Sequence, residues 1–155
     1  MRERVYIALG SNIGNRASIL AQAVGLLSER VGVVTVESKV VETEPVGFVS
    51  EHPFLNQVVA VDTELSPLEV LETTQNIERE LGRWRKSVDG VYLDRTCDLD
   101  IILYGDRIME EAFLTIPHKL FRERKFVLEP LAEIAPEVID PVTGKRINEL
   151  LWDVL

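Results

Sequence analysis

The chain has 155 residues and a mass of 17.5 kDa, with 46% apolar and 28% charged residues, a net charge of −9 and a pI near 4.8. This is about one domain's worth of protein, apolar enough to bury a core, which excludes wholesale disorder. The acidic balance argues against non-specific binding to nucleic acid or anionic membranes, no apolar run reaches the ~18 residues of a membrane span, and the single Cys97 leaves no internal disulfide and no Cys/His cluster for zinc.

Met1-Arg2-Glu3-Arg4 carries no signal-peptide pattern and leads directly into Arg4 to Leu9, which reads as a buried strand ended by Gly10-Ser11-Asn12. A cytoplasmic location is expected. Arg16 to Arg30 carries Leu20, Ala23, Val24 and Leu27 at helical spacing. The valine-rich stretch Val33 to Glu42 predicts one strand, closed by Pro45 and Gly47, and Leu55 to Glu64 predicts another. Ser66-Pro67-Leu68-Glu69 combines a capping serine, a proline at the first helical position and the glutamate of a capping box. Val70, Thr74, Ile77 and Leu81 continue that helix and Gly82 stops it. Thr96 to Tyr104 is a strand, and Phe126 to Ile134 and Ile147 to Val154 are short C-terminal helices.

The order strand, helix, strand, strand, helix, strand is the split βαβ or ferredoxin-like plan: an α+β domain over residues 1–155, with helices packed on one face of a mainly antiparallel sheet. Two connections, Thr43 to Pro53 and Arg83 to Arg95, are longer than such a fold needs, and long ordered connections tend to be functional.

About half of the 17 basic residues fall in two short stretches, 79–95 and 118–125. In an acidic protein this points to a small bound anion, or simply to a solvated charged face. Between the two stretches stands Asp98-Leu99-Asp100-Ile101-Ile102-Leu103. Strand alternation sends Asp98 and Asp100 to one face, Cα atoms about 7 Å apart, and Leu99, Ile101 and Leu103 into the core. Two such carboxylates repel by about 2 kcal/mol at an effective dielectric of about 20, so an enclosed pair calls for a cation. Oxygen-only ligands favour magnesium. Arginines around a magnesium-binding pair suit polyphosphate, and an ATP-type phosphoryl or nucleotidyl transfer site follows. The P-loop, dinucleotide-binding and esterase motifs are all missing from the sequence.

His118 follows Pro117 near Arg122 and Arg124, where it can contact phosphate or serve a surface or capping role. Phe54 with Asn56 suits a flat heterocycle, one ring to stack and one amide to read its edge. Cys97 shares the face of Leu99 and reads as a core residue, and Trp84 and Trp152 read as packing.

These residues resemble the 6-hydroxymethyl-7,8-dihydropterin pyrophosphokinase family nearly end to end. The resemblance is carried by Ala8-Leu9-Gly10-Ser11-Asn12, Thr43-Glu44-Pro45-Val46-Gly47, Phe54-Leu55-Asn56, Gly82-Arg83, Arg95-Thr96-Cys97-Asp98-Leu99-Asp100, Pro117-His118, Arg124, Phe126-Val127-Leu128 and Ile134-Ala135-Pro136. It implies transfer of pyrophosphate from ATP to the hydroxymethyl group of the pterin, with release of AMP. It further implies two magnesium ions on Asp98 and Asp100, and a pterin stacked between Phe54 and Phe126 and read by Asn56, Thr43 and Val46, with Asp98 also in contact. Gln75, Glu78, Ile101 and Thr115 would surround the nucleotide, with Arg85, Lys86, His118 and Arg124 at its phosphates. Arg83 and Arg95 would be the catalytic arginines, Arg95 also binding ATP. Where the family often has Trp-Gly-Pro before the Arg-Thr pair, this chain has Val91-Tyr92-Leu93-Asp94. The expected partners are ATP and the pterin, with no nucleic acid, no membrane and a monomeric state. Two other readings stay open: another magnesium-dependent nucleotidyl or phosphoryl transferase, which would not need Phe54, Asn56 and Phe126, or a non-enzymatic ligand-sensing module.

Overall fold

In a computed structural model of the chain, the residues described are 2–43, 53–82 and 96–155. The elements run β1 (Glu3–Ser11), α1 (Arg16–Arg30), β2 (Gly32–Glu37), β3 (Val41–Thr43), β4 (Phe54–Thr63), α2 (Pro67–Gly82), β5 (Asp98–Tyr104), β6 (Met109–Glu110), β7 (Thr115–Ile116), α3 (Lys125–Ile134) and α4 (Ile147–Asp153), with a 3₁₀ turn at Phe121–Glu123. The main sheet is ordered β2-β4-β1-β5, every pairing antiparallel, and β3 extends it along β4. The order places β1 and β4 at the centre, as the ferredoxin-like plan requires.

Alternation splits the sheet into two cores. Val5, Ile7 and Leu9 of β1, with Val59 and Val61 of β4 and Leu99 and Ile101 of β5, pack under α1 and α2 through Leu20, Ala23, Leu27, Val70 and Ile77. Tyr6, Val58, Ala60, Ile102 and Leu103 face the other way, where Val127, Leu128 and Leu131 of α3 and Ile147 and Leu150 of α4 cover them. Helices therefore lie on both faces, and the C-terminal pair supplies a second layer beyond the one-sided packing expected from the βαββαβ order.

Local chemistry explains most boundaries. The α2 capping box forms as expected: Glu69 N–H donates to Ser66 Oγ at 3.2 Å and Ser66 N–H to Glu69 Oε1 at 2.9 Å. Asn15 caps α1 by accepting from Ser18 N–H at 3.3 Å. The strand expected from Val33 to Glu42 is two strands. Between them the Ser38 hydroxyl donates to Lys39 O and accepts from Val58 N–H, while Lys39 N–H is taken by Glu133 of α3, and these bonds divert the chain from the ladder. Trp152, expected to pack, is 76% exposed on α4.

Candidate active site

β1 does not end at Leu9. It continues through Gly10 and Ser11, and this extension builds the site. Gly10 pairs with Asp98 of β5 on one side and Asn56 of β4 on the other, and Asn56 pairs with Val41 of β3. One row across four strands thus runs Asp98, Gly10, Asn56, Val41. The next row brings Asp100, Ala8 and Val58 into line. All these side chains share the α3 face, because their odd-numbered neighbours in β1, β4 and β5 fill the α1/α2 core.

The two central positions of this surface are the small Gly10 and Ala8. A Cβ at Gly10 would lie 3.5 Å from both Asn56 Oδ1 and Phe54 Cδ1, so the glycine leaves a floor open between the carboxylates and the aromatic-amide pair. Phe54 is half-buried at the start of β4. Phe126, in the first turn of α3, packs against the α3-side core, as Ala8 does, with the Arg124 guanidinium 5.7 Å over its ring. Asn56 is buried and donates from Nδ2 to Thr43 Oγ1 at 2.6 Å, which fixes the amide plane. Phe54, the Asn56 amide and Thr43 therefore meet on one side of Gly10, Asp98 and Asp100 stand on the other, and Phe126 comes to the same face of the sheet from α3.

β5 is an edge strand. Leu99 N–H points away from β1, and Glu78 of α2 accepts it at 2.7 Å. Burial pushes the Glu78 carboxyl up to about 8; the Leu99 hydrogen bond opposes this, and the nearby charges of Asp98 and Asp100 add to it. Glu78, Asp98 and Asp100 are thus one electrostatic unit. Gln75 lies three residues earlier on α2 and is exposed. The Ile101 side chain is buried in the α1/α2 core, so what Ile101 can present along this edge is main chain, the same parity as Leu99. The expected alternation fails beyond it. Between Tyr6 and Ile7 the β1/β5 register shifts, leaving Ile102 as the extra residue, and Leu103 joins the α3 face instead of following Leu99 and Ile101.

That bulge has a use. The Ile102 carbonyl accepts His118 N–H at 2.9 Å, tying the histidine to the strand that carries the aspartates. His118 Nδ1 in turn accepts Leu120 N–H at 3.1 Å. Burial and the charge of Arg124 lower the His118 pKa against the opposing pull of Asp98. The ring is accordingly neutral near pH 7, with Nε2–H as its donor. Thr115, on β7, is half-buried just before the Ile116-Pro117-His118 segment. Of the second basic stretch, Arg122 is committed elsewhere, paired at 2.5 Å with the buried Asp140, and Lys125 pairs with Glu129. Arg124 is the member that meets the site.

The donor set fits magnesium: carboxylates only, half-exposed and on one face. Among the described residues no group of three or more His, Cys, Asp or Glu stands in metal-holding geometry. Cys97 is buried, and its thiol is pushed up to about 12 by burial and by Glu78 and Asp98, which makes it a core residue and not a nucleophile. Val46, Arg83, Arg85, Lys86 and Arg95 lie outside the described residues. The sequence reading missed Ala8 and Gly10 as a floor; small residues at alternate positions of a strand were the available signal.

The sequence profile of the 7,8-dihydro-6-hydroxymethylpterin-pyrophosphokinase (HPPK) family matches residues 6–136. A 2-amino-4-hydroxy-6-hydroxymethyldihydropteridine pyrophosphokinase of Porphyromonas gingivalis is 49% identical over 133 residues, 85% of this chain and 90% of that one. The protein of the same name from Bacillus subtilis is 46% identical over 150 residues, 96% of this chain and 88% of that one. In fold, an HPPK-DHPS solved in complex with substrates superposes with a TM-score of 0.78 at 15% identity, covering 99% of this chain and 43% of that longer one. A Plasmodium falciparum HPPK-DHPS triple mutant gives the same TM-score at 17% identity, covering 99% and 43%.

Proposed function

This chain belongs to the 7,8-dihydro-6-hydroxymethylpterin-pyrophosphokinase family and transfers pyrophosphate from ATP to the hydroxymethyl group of 6-hydroxymethyl-7,8-dihydropterin in folate biosynthesis, releasing AMP, and we propose that the α3 face of its sheet is where the transfer occurs. The observation that carries this reading is the row Asp98–Gly10–Asn56, which holds a carboxylate pair and an aromatic-amide pocket apart by the width of two strands. The pterin lies over Gly10 and Ala8, its ring between Phe54 and Phe126 and its edge against Asn56, Thr43 and Val46, with Asp98 reaching it from the opposite side. The nucleotide takes Gln75, Glu78, the main chain of Ile101 and Thr115, and its phosphates take Arg85, Lys86, Arg95, His118 and Arg124.

Two magnesium ions on Asp98 and Asp100 would neutralise charge on the transferring phosphates when bound. The chain's own residues position and stabilise. In the transfer the pterin hydroxymethyl oxygen bonds to the β-phosphorus and gives up its proton to solvent water. The bond from that phosphorus to the oxygen bridging it to the α-phosphorus breaks, and AMP departs with the electron pair. Arg83 and Arg95 stabilise the charge that develops, and His118 donates a neutral hydrogen bond from Nε2. The same reading takes residues 1–155 as one domain working as a cytoplasmic monomer. Among the described residues no helix is long and apolar enough to cross a membrane.

An assay with ATP, magnesium and the pterin tests the assignment, with the nucleotide products separated. Pterin-dependent AMP in the parent, reduced at least a hundredfold in Asp98→Ala, is expected for loss of a charge-stabilising group. AMP formation undiminished in that variant would overturn the site, and ADP as product would overturn the reaction.

A further inference from the structure

Arg16 opens α1 and has no part in the roles set out above, yet its guanidinium bridges the two chain segments that carry the aromatic-amide pocket. Nη1 donates to the Pro53 carbonyl at 2.8 Å and stands 3.0 Å from Glu42 Oε2. Pro53 immediately precedes Phe54, and Glu42 immediately precedes Thr43. Phe54 and Thr43 are themselves register partners, and Thr43 holds the Asn56 amide. One guanidinium nitrogen therefore joins the last pair of the β3/β4 ladder to the start of the helix that follows β1, the strand that supplies Gly10.

We propose that Arg16 is a positioning residue for the pterin: it sets the spacing between the β3/β4 end and β1, and so holds Phe54, Thr43 and Asn56 at the distance from Gly10 that a flat ring needs. This rests on the reading of those three residues as the pterin end of the site. Arg16 and Glu42 are 30% and 56% exposed, so the ion pair itself is screened and adds little to global stability. Its worth lies in geometry. β3 is a three-residue strand paired with β4, and the Arg16–Glu42 contact ties it to α1 as well. An arginine serves two acceptors at once, because its planar fork carries several donors in fixed directions.

The test compares Arg16→Ala, Arg16→Lys and Glu42→Gln with Arg4→Ala. The last removes a comparable ion pair, Arg4 to Asp62 at 2.9 Å, between β1 and β4 at the other end of the sheet. Dissociation constants for the pterin and for magnesium-ATP are measured separately, along with thermal melts. Arg16→Ala is expected to weaken pterin binding about tenfold, the loss of one charge-assisted hydrogen bond, and to leave ATP binding within about twofold. Arg16→Lys should recover part of the loss, Glu42→Gln should lie between, and Arg4→Ala should leave pterin binding unchanged. Unchanged pterin affinity in Arg16→Ala overturns the proposal. So does parallel weakening of both ligands with a large fall in Tm, since that is a folding defect. If Arg16→Ala does not fold, Glu42→Gln carries the same comparison. Absence of pterin binding in the parent protein is a different result, for it removes the reading on which the proposal rests.

Discussion

Glu78 of α2 and Leu99 of β5 are joined by a 2.7 Å hydrogen bond in which a helix carboxylate takes the outward N–H of an edge strand. The bond satisfies a donor that β1 cannot reach, and it brings a third carboxylate up to Asp98 and Asp100. The strand carrying Asp98 and Asp100 is thus anchored by a third carboxyl group, which their charges help to keep protonated.

The pH dependence of that arrangement has a definite sign. Glu78 is raised from an ordinary 4.5 to about 8 by burial and by Asp98 and Asp100. The folded state therefore holds a proton that the unfolded state has released. Stability from this group is fully present below about 4.5 and is lost as pH rises through about 8. Glu78→Gln keeps an acceptor for Leu99 N–H and cannot ionise. In metal-free melts, its Tm advantage over the parent should widen between those two values and then level off. A constant difference across that range would show that Glu78 is not perturbed. Glu78→Ala strands the Leu99 N–H and should be about 1–3 kcal/mol less stable than Glu78→Gln at every pH, read by denaturant titration.

Gly10 gives a second prediction, one that separates binding from folding. A Cβ there meets Asn56 and Phe54 at 3.5 Å, which is ordinary van der Waals contact, so Gly10→Ala should fold with its Tm little changed. Gly10→Val extends further across the floor and also suits a strand. It should weaken pterin binding by more than about tenfold, since overpacking a close-fitting surface costs about 1–3 kcal/mol, with ATP binding kept. The check is titration of each ligand separately. Pterin affinity retained in Gly10→Val would mean that the ring does not lie over this glycine.

Much of this was legible in the sequence, and the misses share one cause. The order of elements, the capping box at Ser66 and the facing of Asp98 and Asp100 follow from spacing alone, because each depends on residues within a few positions of one another. What could not be read depends on partners distant in the chain. Leu103 changes face because β5 carries one more residue than β1 can pair with. The strand from Val33 breaks because Ser38 finds Val58 and Lys39 finds Glu133, 20 and 94 residues away. Gly10 reads locally as a turn glycine and becomes a strand residue only once β4 and β5 flank it. Arg16 shows no signal at all until Pro53 and Glu42 are folded beside it.

The Cys97 thiol should resist modification in the native protein. Burial, with Glu78 and Asp98 close by, pushes it up to about 12, so thiolate is scarce at neutral pH as well as inaccessible. A disulfide reagent should label it only at the rate of unfolding, and complete labelling in denaturant supplies the control. Fast stoichiometric labelling of native protein would contradict both the burial and the shift.

The ion pair of Arg122 with the buried Asp140 yields the largest stability effect. The Asp140 side chain is 0% exposed and accepts from Arg122 Nε at 2.5 Å and Nη2 at 2.9 Å, from Thr143 Oγ1 at 2.7 Å and from Val142 N–H at 3.0 Å. Burial alone would raise this carboxyl, but the hydrogen bonds from Arg122, Thr143 and Val142, with the Arg122 charge, outweigh it and hold the carboxyl below its ordinary 3.8. Asp140→Ala leaves those donors without an acceptor and should cost about 3 kcal/mol, or roughly 6–12 °C in Tm for a chain of this size. Asp140→Asn keeps the shape, loses the charge and should fall between the two. For a group lowered in this way the stabilisation is present above 3.8 and is lost as pH falls through the still lower folded value. The melting temperatures of parent and Asp140→Asn should therefore converge in acid below 3.8, while at neutral pH they stay apart. A gap that persists unchanged into acid would show that the stability comes from packing and neutral hydrogen bonds, and not from the charge of Asp140.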